Sequence, residues 1–338
     1  MGGDDAPRIV VRGADIARER YPDARFLFFG DEARIEPLLK RSRRLQDAAE
    51  IHHTDEMVAA DDKPSQALRR GRRSSMRLAI NAVAEEAAAG AVSAGNTGAL
   101  MAMSKVVLKT LPGIDRPAIA SFFPTQRGES VMLDLGANVE CDANNLVQFA
   151  VMGAAFARTV LGVQTPTVGL LNVGEEDLKG NDTVKLAAQL LRDTSLPLAF
   201  EGFIEGDDIA GGSTDVIVTD GFTGNVALKT AEGTAKLYST FLRRAFEKSL
   251  MSRLGYLLAK GAMATLRERV DPRHYNGGVF LGLNGVSVKS HGGTDGIGFA
   301  TAIGLAIDMA ADNLTGRITQ DFKRFGSFDE PQAQAAVS

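Results

Sequence analysis

Four segments of the chain repeat one local pattern, in which an apolar run typical of a β-strand is followed by a loop of Gly, Asn and Asp and then by a helical pattern. Alternation of short strands with longer helices is the signature of an α/β fold. Most of the apolar runs are continuous rather than alternating, which favours a largely parallel sheet covered by helices on both faces. The four loops span residues 93–98, 134–140, 172–182 and 219–225.

Ten strands are predicted along the chain, and no linker rich in Pro or Ser divides them. Residues 1–338 are therefore expected to form one α/β domain with three layers, α/β/α, around a mostly parallel central sheet. A flexible tail is expected at about residues 327–338, where the helical pattern weakens. The predicted strands are 25–29, 50–53, 91–93, 118–123, 130–135, 167–172, 198–203, 215–219, 278–283 and 286–289.

The four loops have the composition of an anion site. In an open α/β sheet, loops at the carboxyl ends of the strands converge on the ligand crevice, and helix N-termini there favour negative charge. Gly, Asn and Asp also make ordinary turns and helix caps, so a single loop of this kind carries little weight. Four of them, in a chain with 36 glycines, favour a phosphate site.

Composition excludes several classes of function. The chain has 38 Lys and Arg against 42 Asp and Glu, a net charge of −4 that argues against a nucleic-acid partner held by bulk positive charge. The one cysteine, Cys141, excludes an intrachain disulfide or a Cys-rich metal site and is typical of the cytosol. No apolar run reaches the ~18–20 residues of a membrane span, and the N-terminus has no signal-peptide pattern.

Common catalytic motifs are missing as well. The four histidines form no metal-binding pair, and the chain has neither a G-x-S-x-G motif nor a P-loop. The glycines of residues 292–298 match a dinucleotide fingerprint only weakly. Cys141 lies between Glu140 and Asp142, which raise a thiol pKa and disfavour a nucleophilic thiolate. We therefore expect positioning catalysis, with no metal, no cofactor and no covalent enzyme intermediate.

A basic helical arm is predicted at about residues 225–272, as two long helices with a turn allowed by Gly255 and Gly261. Residues 226–270 carry nine basic and three acidic side chains, a net charge of +6. A basic hairpin with an apolar tip is typical of a membrane-surface or partner-binding element. A core hairpin or a dimer seam fits the pattern equally well. The tip residues are Leu254, Tyr256, Leu257 and Leu258.

A second basic cluster follows residues 61–65. Such a run is usually a solvated surface, but its density also suits the docking of an acidic protein. The cluster, here called the arginine patch, consists of Arg69, Arg70, Arg72 and Arg73.

Several ordered motifs of this chain closely resemble those of the PlsX-type phosphate acyltransferases of bacterial phospholipid synthesis. The resemblance extends from residue 1 to about residue 320. The motifs are Met1-Gly2-Gly3-Asp4, His53-Thr54-Asp55-Glu56, Asp62-Lys63-Pro64, residues 93–99 and 134–138, Asn172-Val173-Gly174-Glu175-Glu176, Lys179-Gly180-Asn181, residues 220–225 and His291-Gly292-Gly293.

The resemblance implies an enzyme that transfers a fatty acyl group from acyl-[acyl carrier protein] to inorganic phosphate and releases acyl phosphate. It also implies a fold like that of isopropylmalate dehydrogenases and phosphate acetyltransferases, and a homodimer. The expected location is the cytoplasm, with peripheral attachment to the inner face of the cell membrane. A downstream membrane glycerol-3-phosphate acyltransferase is the expected next partner.

The resemblance also implies roles for particular residues. Lys179 is expected to act on phosphate and oxyanion charge, and Asn225 to hydrogen-bond the carbonyl or the phosphate. On pattern alone, Lys179 is a surface lysine and Asn225 a helix cap. The expected phosphate-binding residues are Gly95, Asn96, Thr97, Gly98, His291, Gly292 and Gly293, and the expected substrate-binding residues are Asp134, Asn138, Asn181 and Asp220.

One departure from the family pattern lies at the N-terminus. Members usually have a short strand that ends just before the Met-Gly-Gly-Asp motif, and here Met1 is the methionine of that motif. A missing buried strand leaves backbone groups unpaired, so we expect the native chain to begin upstream of Met1.

Two other functions remain open. One is a phosphate acetyltransferase-like enzyme that uses acyl-coenzyme A, although such an enzyme needs no basic arm with an apolar tip. The other is a non-catalytic scaffold for lipid synthesis attached to the membrane, which leaves the Gly/Asn loops unexplained. An NAD-dependent dehydrogenase is disfavoured because the nucleotide fingerprint and the metal carboxylates are missing.

Overall fold

The ten predicted strands are all present in the computed structural model, which describes residues 1–193, 196–269, 271 and 273–335. Each strand end lies within two residues of its predicted position. The strands are predictable because buried strands consist of continuous apolar runs, which are flanked here by Gly and Asn residues. The strands are β1 (Phe26–Gly30), β2 (Ala49–His53), β3 (Gly90–Ser93), β4 (Ala118–Thr125), β5 (Gly128–Leu133), β6 (Thr167–Leu171), β7 (Ala199–Ile204), β8 (Val216–Val218), β9 (Gly278–Leu281) and β10 (Val286–Lys289).

The helices of the described residues fill the connections between the strands. Apart from a short 3₁₀ turn (Arg43–Leu45), they are α1 (Arg8–Arg20), α2 (Glu32–Leu39), α3 (Pro64–Arg70), α4 (Ser75–Ala84), α5 (Thr97–Leu108), α6 (Ala143–Val160), α7 (Asp182–Arg192), α8 (Asp208–Gly211), α9 (Gly221–Glu247), α10 (Leu250–Leu258), α11 (Lys260–Arg269), α12 (Gly296–Ala311) and α13 (Leu314–Ala335). The last helix extends into the segment expected to form a tail, and residues 336–338 lie outside the described residues.

Eight strands form one sheet in the order β3-β10-β9-β4-β5-β8-β6-β7, and β1 pairs in parallel with β2. Four of the seven pairings in the large sheet are parallel and three are antiparallel, so the predicted mostly parallel sheet is confirmed. The antiparallel pairings lie together at β10-β9, β9-β4 and β4-β5. They reverse the direction of β5, β6, β7 and β8 relative to β3 and β10.

This reversal corrects one expectation about the loops. The loops after β3 and β10 lie at one edge of the sheet, and those after β5, β6 and β8 start at the opposite edge. One of the three antiparallel pairings follows from the tight connection between β4 and β5, whose last pair joins Thr125 to Gly128. Such a short connection permits only antiparallel neighbours, because a parallel pair needs a crossover of a dozen or more residues.

The predicted three-layer arrangement is confirmed by two apolar cores, one on each face of the sheet. Val216 and Val218 of β8 point into the core formed with α6, α7, α12 and α13. Ile217, between them, points into the opposite core with α3, α4 and α5. This alternation is the two-residue period of a strand buried on both faces.

The small β1-β2 sheet lies beside the large sheet. A cavity of about 90 Å³ separates β1 from β3 and is lined in part by Phe28, Phe29, Val92 and Ala94. Within the described residues, neither facing edge has a strand partner. The strand expected before Met1 stays a prediction.

The arm differs from its predicted form. It consists of one long helix, α9, followed by two short ones, α10 and α11, rather than two long helices. Gly255 and Gly261 themselves lie inside α10 and α11, and the predicted turn between them falls at Ala259, where α10 ends just before α11. A further break, which the sequence did not indicate, lies near Ser249, whose side chain caps α10 by accepting the N–H of Ser252. The predicted arm end at residue 272 lies outside the described residues.

No single helix of the described residues is long and apolar enough to cross a membrane. Residues 296–311 and 314–324 are long and apolar enough only when the two helices are taken together, and this pair is bent by 55°. Much of α12 is buried in the core.

Close packing of α6 on the sheet gives a stability prediction. A Cβ atom at Gly153 would lie 2.6 Å from Val216 Cγ1 and 2.9 Å from Leu133 Cδ2. We expect Gly153→Ala to lower the free energy of unfolding by about 1–3 kcal/mol, because the core must shift to admit the methyl group. Chemical denaturation measures the change.

The control is Gly233→Ala in α9, where a Cβ atom would have no neighbour within 4 Å. This change should be neutral or stabilise the helix by up to about 1 kcal/mol. Equal unfolding free energies for both variants would contradict the packing described here.

Candidate active site

A cluster of glycines forms where β3 and β10 end. It consists of Gly2, Gly3, Gly95, Gly292 and Gly293 and is called here the glycine cluster. The backbones approach closely: a Cβ atom on Gly2 would lie 2.5 Å from the Cα atom of Gly95. The N–H of Asp4 donates to the carbonyl oxygen of Gly292 at 3.0 Å. Two loops predicted to bind phosphate are thus brought together, and residues 2–4 join them.

The next residues of the first loop begin α5. Asn96 caps this helix by accepting the N–H of Ala99 at 3.0 Å, while its Nδ2 donates to the carbonyl oxygens of Ala60 and Asp62, both at 2.9 Å. The Asn96 side chain is therefore occupied in holding the loop before α3. The N–H groups of Thr97 and Gly98 have no acceptor in the described part of the chain, so phosphate binding there stays a prediction that the backbone permits.

Burial lowers the pKa of His291, and the charge of Lys229 lowers it further, so both effects favour the neutral imidazole. The N–H of Gly293 donates to His291 Nδ1 at 3.2 Å. A neutral imidazole that accepts at Nδ1 carries its proton on Nε2, which leaves a hydrogen-bond donor for a ligand.

The second edge of the sheet is organised by Asp134, whose predicted role was substrate binding. The residue is 0% exposed. Its carboxylate accepts the backbone N–H groups of Ile119 and Ala137 at 3.0 Å, of Gly136 at 3.2 Å and of Asn138 at 2.6 Å. Burial raises the pKa of Asp134, and these donors oppose the rise. With both oxygens occupied, Asp134 can serve a substrate only through the loop that it holds.

Asn138 and Asp220 connect this loop to α9. The Asn138 side chain donates to the Pro117 carbonyl oxygen at 2.8 Å. The backbone carbonyl oxygen of Asn138 accepts the N–H of Gly221 at 2.7 Å. Asp220 caps α9 by accepting the N–H of Thr223 at 2.8 Å. These two predicted substrate-binding residues thus fix where α9 begins.

Asn225 lies in the second turn of α9 and is exposed. Its side chain lies over Gly136, where a Cβ atom would be 3.7 Å from Asn225 Oδ1. Within the described residues its amide makes no hydrogen bond, so it is free to bind a carbonyl or a phosphate.

One face of α9 joins the two edges of the sheet. Asn225 and Lys229 are four residues apart and therefore neighbours on this face. Lys229 in turn lies close enough to His291 and Lys289 to lower the pKa values of both. This face of α9 therefore leads from the loop at Asp134 towards His291 and Lys289.

Lys179 follows β6 in an exposed loop. The side chain of Asn172 donates to the carbonyl oxygens of Gly174 and Lys179 at 3.1 and 3.2 Å. Asn181, predicted to bind substrate, caps α7 by accepting the N–H of Val184 at 2.9 Å. Across the described residues, the Lys179 ammonium group has no ion pair, and no hydrogen bond joins it to Asn225. Because β6 and β8 are adjacent and parallel, the segments that lead from them to Lys179 and to Asn225 start at the same edge of the sheet.

Lys289, the last residue of β10, is a functional candidate that the sequence patterns do not identify. Its signal in the sequence is weak, since a lysine at a strand end usually faces solvent. The available hint is its position at the end of a buried apolar run and just before His291.

Two further observations concern the placement of potential metal ligands and the cysteine. No group of three His, Cys, Asp or Glu side chains there is placed to hold a metal ion. Burial, with a contribution from Asp134, raises the pKa of the Cys141 thiol to about 12. Such a thiol does not supply a thiolate nucleophile.

The arginine patch is exposed and lies at the end of α3. Pro64, the first residue of α3, packs against the first turn of α5, since a Cβ atom on Gly98 would lie 2.7 Å from Pro64 Cγ. The helix that carries the patch therefore adjoins the helix that begins at the glycine cluster.

The fold is shared with solved acyl-transfer enzymes. A phosphotransacetylase from Streptococcus pyogenes matches with a TM-score of 0.61 at 17% identity, covering 90% of this chain and 92% of that one. A branched-chain phosphotransacylase from Enterococcus faecalis V583 matches with a TM-score of 0.55 at 13% identity, covering 91% and 96%. The architecture is that of the phosphotransacetylase class.

Sequence comparison is more specific. The family described as "Fatty acid synthesis protein" matches residues 1–317. A phosphate acyltransferase of Rhodospirillum centenum is 65% identical over 338 residues, which cover 100% of this chain and 95% of the relative. One of Paramagnetospirillum magneticum is 59% identical over 337 residues, covering 100% and 96%. The chain belongs to the phosphate acyltransferase family, which confirms the resemblance found in its motifs.

The buried carboxylate of Asp134 gives a testable consequence. Asp134→Asn would place an NH₂ group against a ring of N–H donors and leave at least one donor unsatisfied. We expect the free energy of unfolding to fall by about 1–3 kcal/mol, with a parallel loss of activity as the loop loosens. Asp312→Asn, at an exposed position after α12, should change neither. Unchanged stability in the Asp134 variant would show that the carboxylate does not anchor the loop.

Proposed function

We propose that this phosphate acyltransferase takes a fatty acyl group from acyl-[acyl carrier protein] and transfers it to inorganic phosphate. The products are acyl phosphate, for glycerophospholipid synthesis, and free carrier protein. Family membership supports acyl transfer to phosphate. The structural observation that carries the proposal is the face of α9, along which Asn225 and Lys229 link the loop at Asp134 to the glycine cluster.

The reaction needs positioning rather than a covalent intermediate. An oxygen of the hydrogen phosphate dianion attacks the thioester carbonyl carbon, and the C–S bond breaks as the new C–O bond forms. The phosphate proton passes to the leaving thiolate, so atoms and charge balance. The protein must hold a dianion beside the carbonyl and stabilise the charge that develops on the carbonyl oxygen.

The predicted residues fit these tasks. Backbone N–H groups near the glycine cluster and the Nε2–H of His291 would bind phosphate oxygens. The amide of Asn225 would donate to the carbonyl oxygen. Lys179, whose ammonium group is exposed and makes no ion pair within the described part of the chain, would supply positive charge to the phosphate and the oxyanion.

The arginine patch would dock the carrier protein. Its four exposed arginines match an acidic partner, and α3 lies against the first turn of α5. A carrier protein bound there would be beside the glycine cluster. An acyl-coenzyme A donor would not need this patch, and the phosphotransacetylase likeness supports a shared fold only.

We further propose a homodimer that works in the cytoplasm at the inner face of the cell membrane and passes acyl phosphate to a membrane glycerol-3-phosphate acyltransferase. Exposed apolar side chains run along α9 and support its use as a dimer seam. They are Phe222, Val226, Leu237 and Phe241. In the predicted membrane tip, Leu257 is 65% and Leu258 is 84% exposed, whereas Tyr256 packs on Phe246 with ring centroids 5.2 Å apart.

The direct test combines the purified protein with acyl-[acyl carrier protein], with and without inorganic phosphate. We expect phosphate-dependent release of free carrier protein and formation of acyl phosphate, and Lys179→Ala should abolish both while leaving the thermal unfolding transition intact. The matched control is Lys185→Ala, which removes a positive charge from α7 in the same region. Turnover with acyl-coenzyme A alone would favour the phosphotransacetylase reaction, and no turnover with either donor would favour a scaffold. Near-normal activity in Lys179→Ala would refute its assignment.

The membrane proposal has its own test. Sedimentation with vesicles of phosphatidylglycerol and phosphatidylethanolamine should capture the protein, and the double change Leu257→Ser and Leu258→Ser should weaken binding at least about tenfold by removing buried apolar area. Val106→Ser, an exposed apolar position in α5, should bind as before. Equal binding by all three proteins would contradict a membrane role for the tip.

A further inference from the structure

Lys289 is a half-buried ammonium group at the carboxyl end of β10. Its Nζ donates to the carbonyl oxygen of Ala94 at 3.4 Å and to that of Ser290. Ala94 immediately precedes Gly95, and Gly292 packs on its carbonyl oxygen. The amine therefore lies inside the glycine cluster.

The charge of Lys289 is not neutralised by the protein. Within the described residues, no carboxylate lies within 4.0 Å of its Nζ, although the more distant carboxylate of Asp4 acts on it. Two carbonyl dipoles compensate only part of a buried charge, and a buried charge without a partner is costly. A group with this environment is typical of a site that an anion completes.

A second cation acts at the same place. Lys229 of α9 lowers the pKa of both Lys289 and His291, and Lys236 adds a smaller effect on His291. Glu232, bonded to Lys229 at 2.9 Å, offsets part of this charge. With His291 neutral, the charged groups that face Lys289 are Asp4 from the N-terminal segment and Lys229 from α9.

We propose that Lys289, assisted by Lys229, binds the inorganic phosphate that accepts the acyl group. This inference rests on the proposed function and assigns its phosphate to a particular place. A dianion at the glycine cluster would pair with both ammonium groups while the adjoining backbone donates to its remaining oxygens. The phosphodiester of the carrier's pantetheine arm has similar chemistry, and the kinetics below distinguish the two.

The first measurement is the dependence of rate on phosphate concentration. For Lys289→Gln we expect KM for phosphate to rise at least about tenfold, the effect of losing a charge-assisted hydrogen bond. KM for acyl-[acyl carrier protein] should stay unchanged. Lys289→Arg should recover part of the loss, and Lys40→Gln, which removes an amine whose side chain is 70% exposed, should leave both constants unaltered.

The pH dependence provides a second readout. Burial lowers the pKa of Lys289 to about 8, and phosphate binding requires the protonated amine. In the native protein, KM for phosphate should therefore rise as pH increases through 8, towards the value of the Gln variant. The variant itself should show no such rise. The same profile in both proteins would exclude Lys289 as the titrating group.

Phosphate binding can also be measured without turnover. Inorganic phosphate should raise the thermal unfolding temperature of the native protein and of Lys40→Gln but not that of Lys289→Gln. Phosphate could stabilise the native protein through Lys289 while no acyl transfer occurs. That result would refute the proposed function but would still support a phosphate site at Lys289.

The inference is overturned if Lys289→Gln folds and keeps its KM for phosphate and its stabilisation by phosphate. It is also overturned if only KM for the acyl carrier protein rises, since the amine would then hold the pantetheine phosphodiester. A fall in kcat with KM for phosphate unchanged would also overturn it, because the amine would then act in the transition state and not in the binding of phosphate.

Discussion

The arrangement of the site depends on the buried carboxylate of Asp134. It gathers N–H groups from the start of β4 and from the loop after β5, and so fixes that loop against the sheet. The fixed loop presents the Asn138 carbonyl oxygen to Gly221, and this contact sets the first turn of α9. Because a helix is rigid, every later residue on that face of α9 is positioned by the same anchor.

That rigidity explains how a sheet with reversed strands can still build one site. The antiparallel pairings at the centre place the loops after β3 and β10 at the edge opposite those after β5, β6 and β8. From Gly221 to Lys229 the helix advances about 12 Å, comparable with the length of a short strand. The helix therefore extends from one edge towards the other, with Asn225 near its anchored end and Lys229 near the glycine cluster.

Sequence patterns predicted the positions of the strands well, but they did not predict which loops lie at the same edge of the sheet. Continuous apolar runs marked all ten strands. The edge at which a loop lies depends on strand direction, which the three antiparallel pairings set and which the apolar runs do not reveal. Gly255 and Gly261 flank the helix break at Ala259, whereas no glycine marks the earlier break at Ser249. The sequence does not single out Lys289, because the amine contacts the carbonyl oxygen of Ala94, which is 195 residues away along the chain.

The electrostatics of the glycine cluster follow from the chemistry proposed for it. A dianion must be desolvated before it can attack a thioester, and only charges already in place can replace its water without a reorganisation cost. Holding Lys229 and Lys289 near a neutral His291 costs stability when no anion is bound, which is the usual compromise at a functional site. The same cost makes the cluster selective, because a neutral ligand would leave the half-buried ammonium group of Lys289 without an ion pair among the described residues.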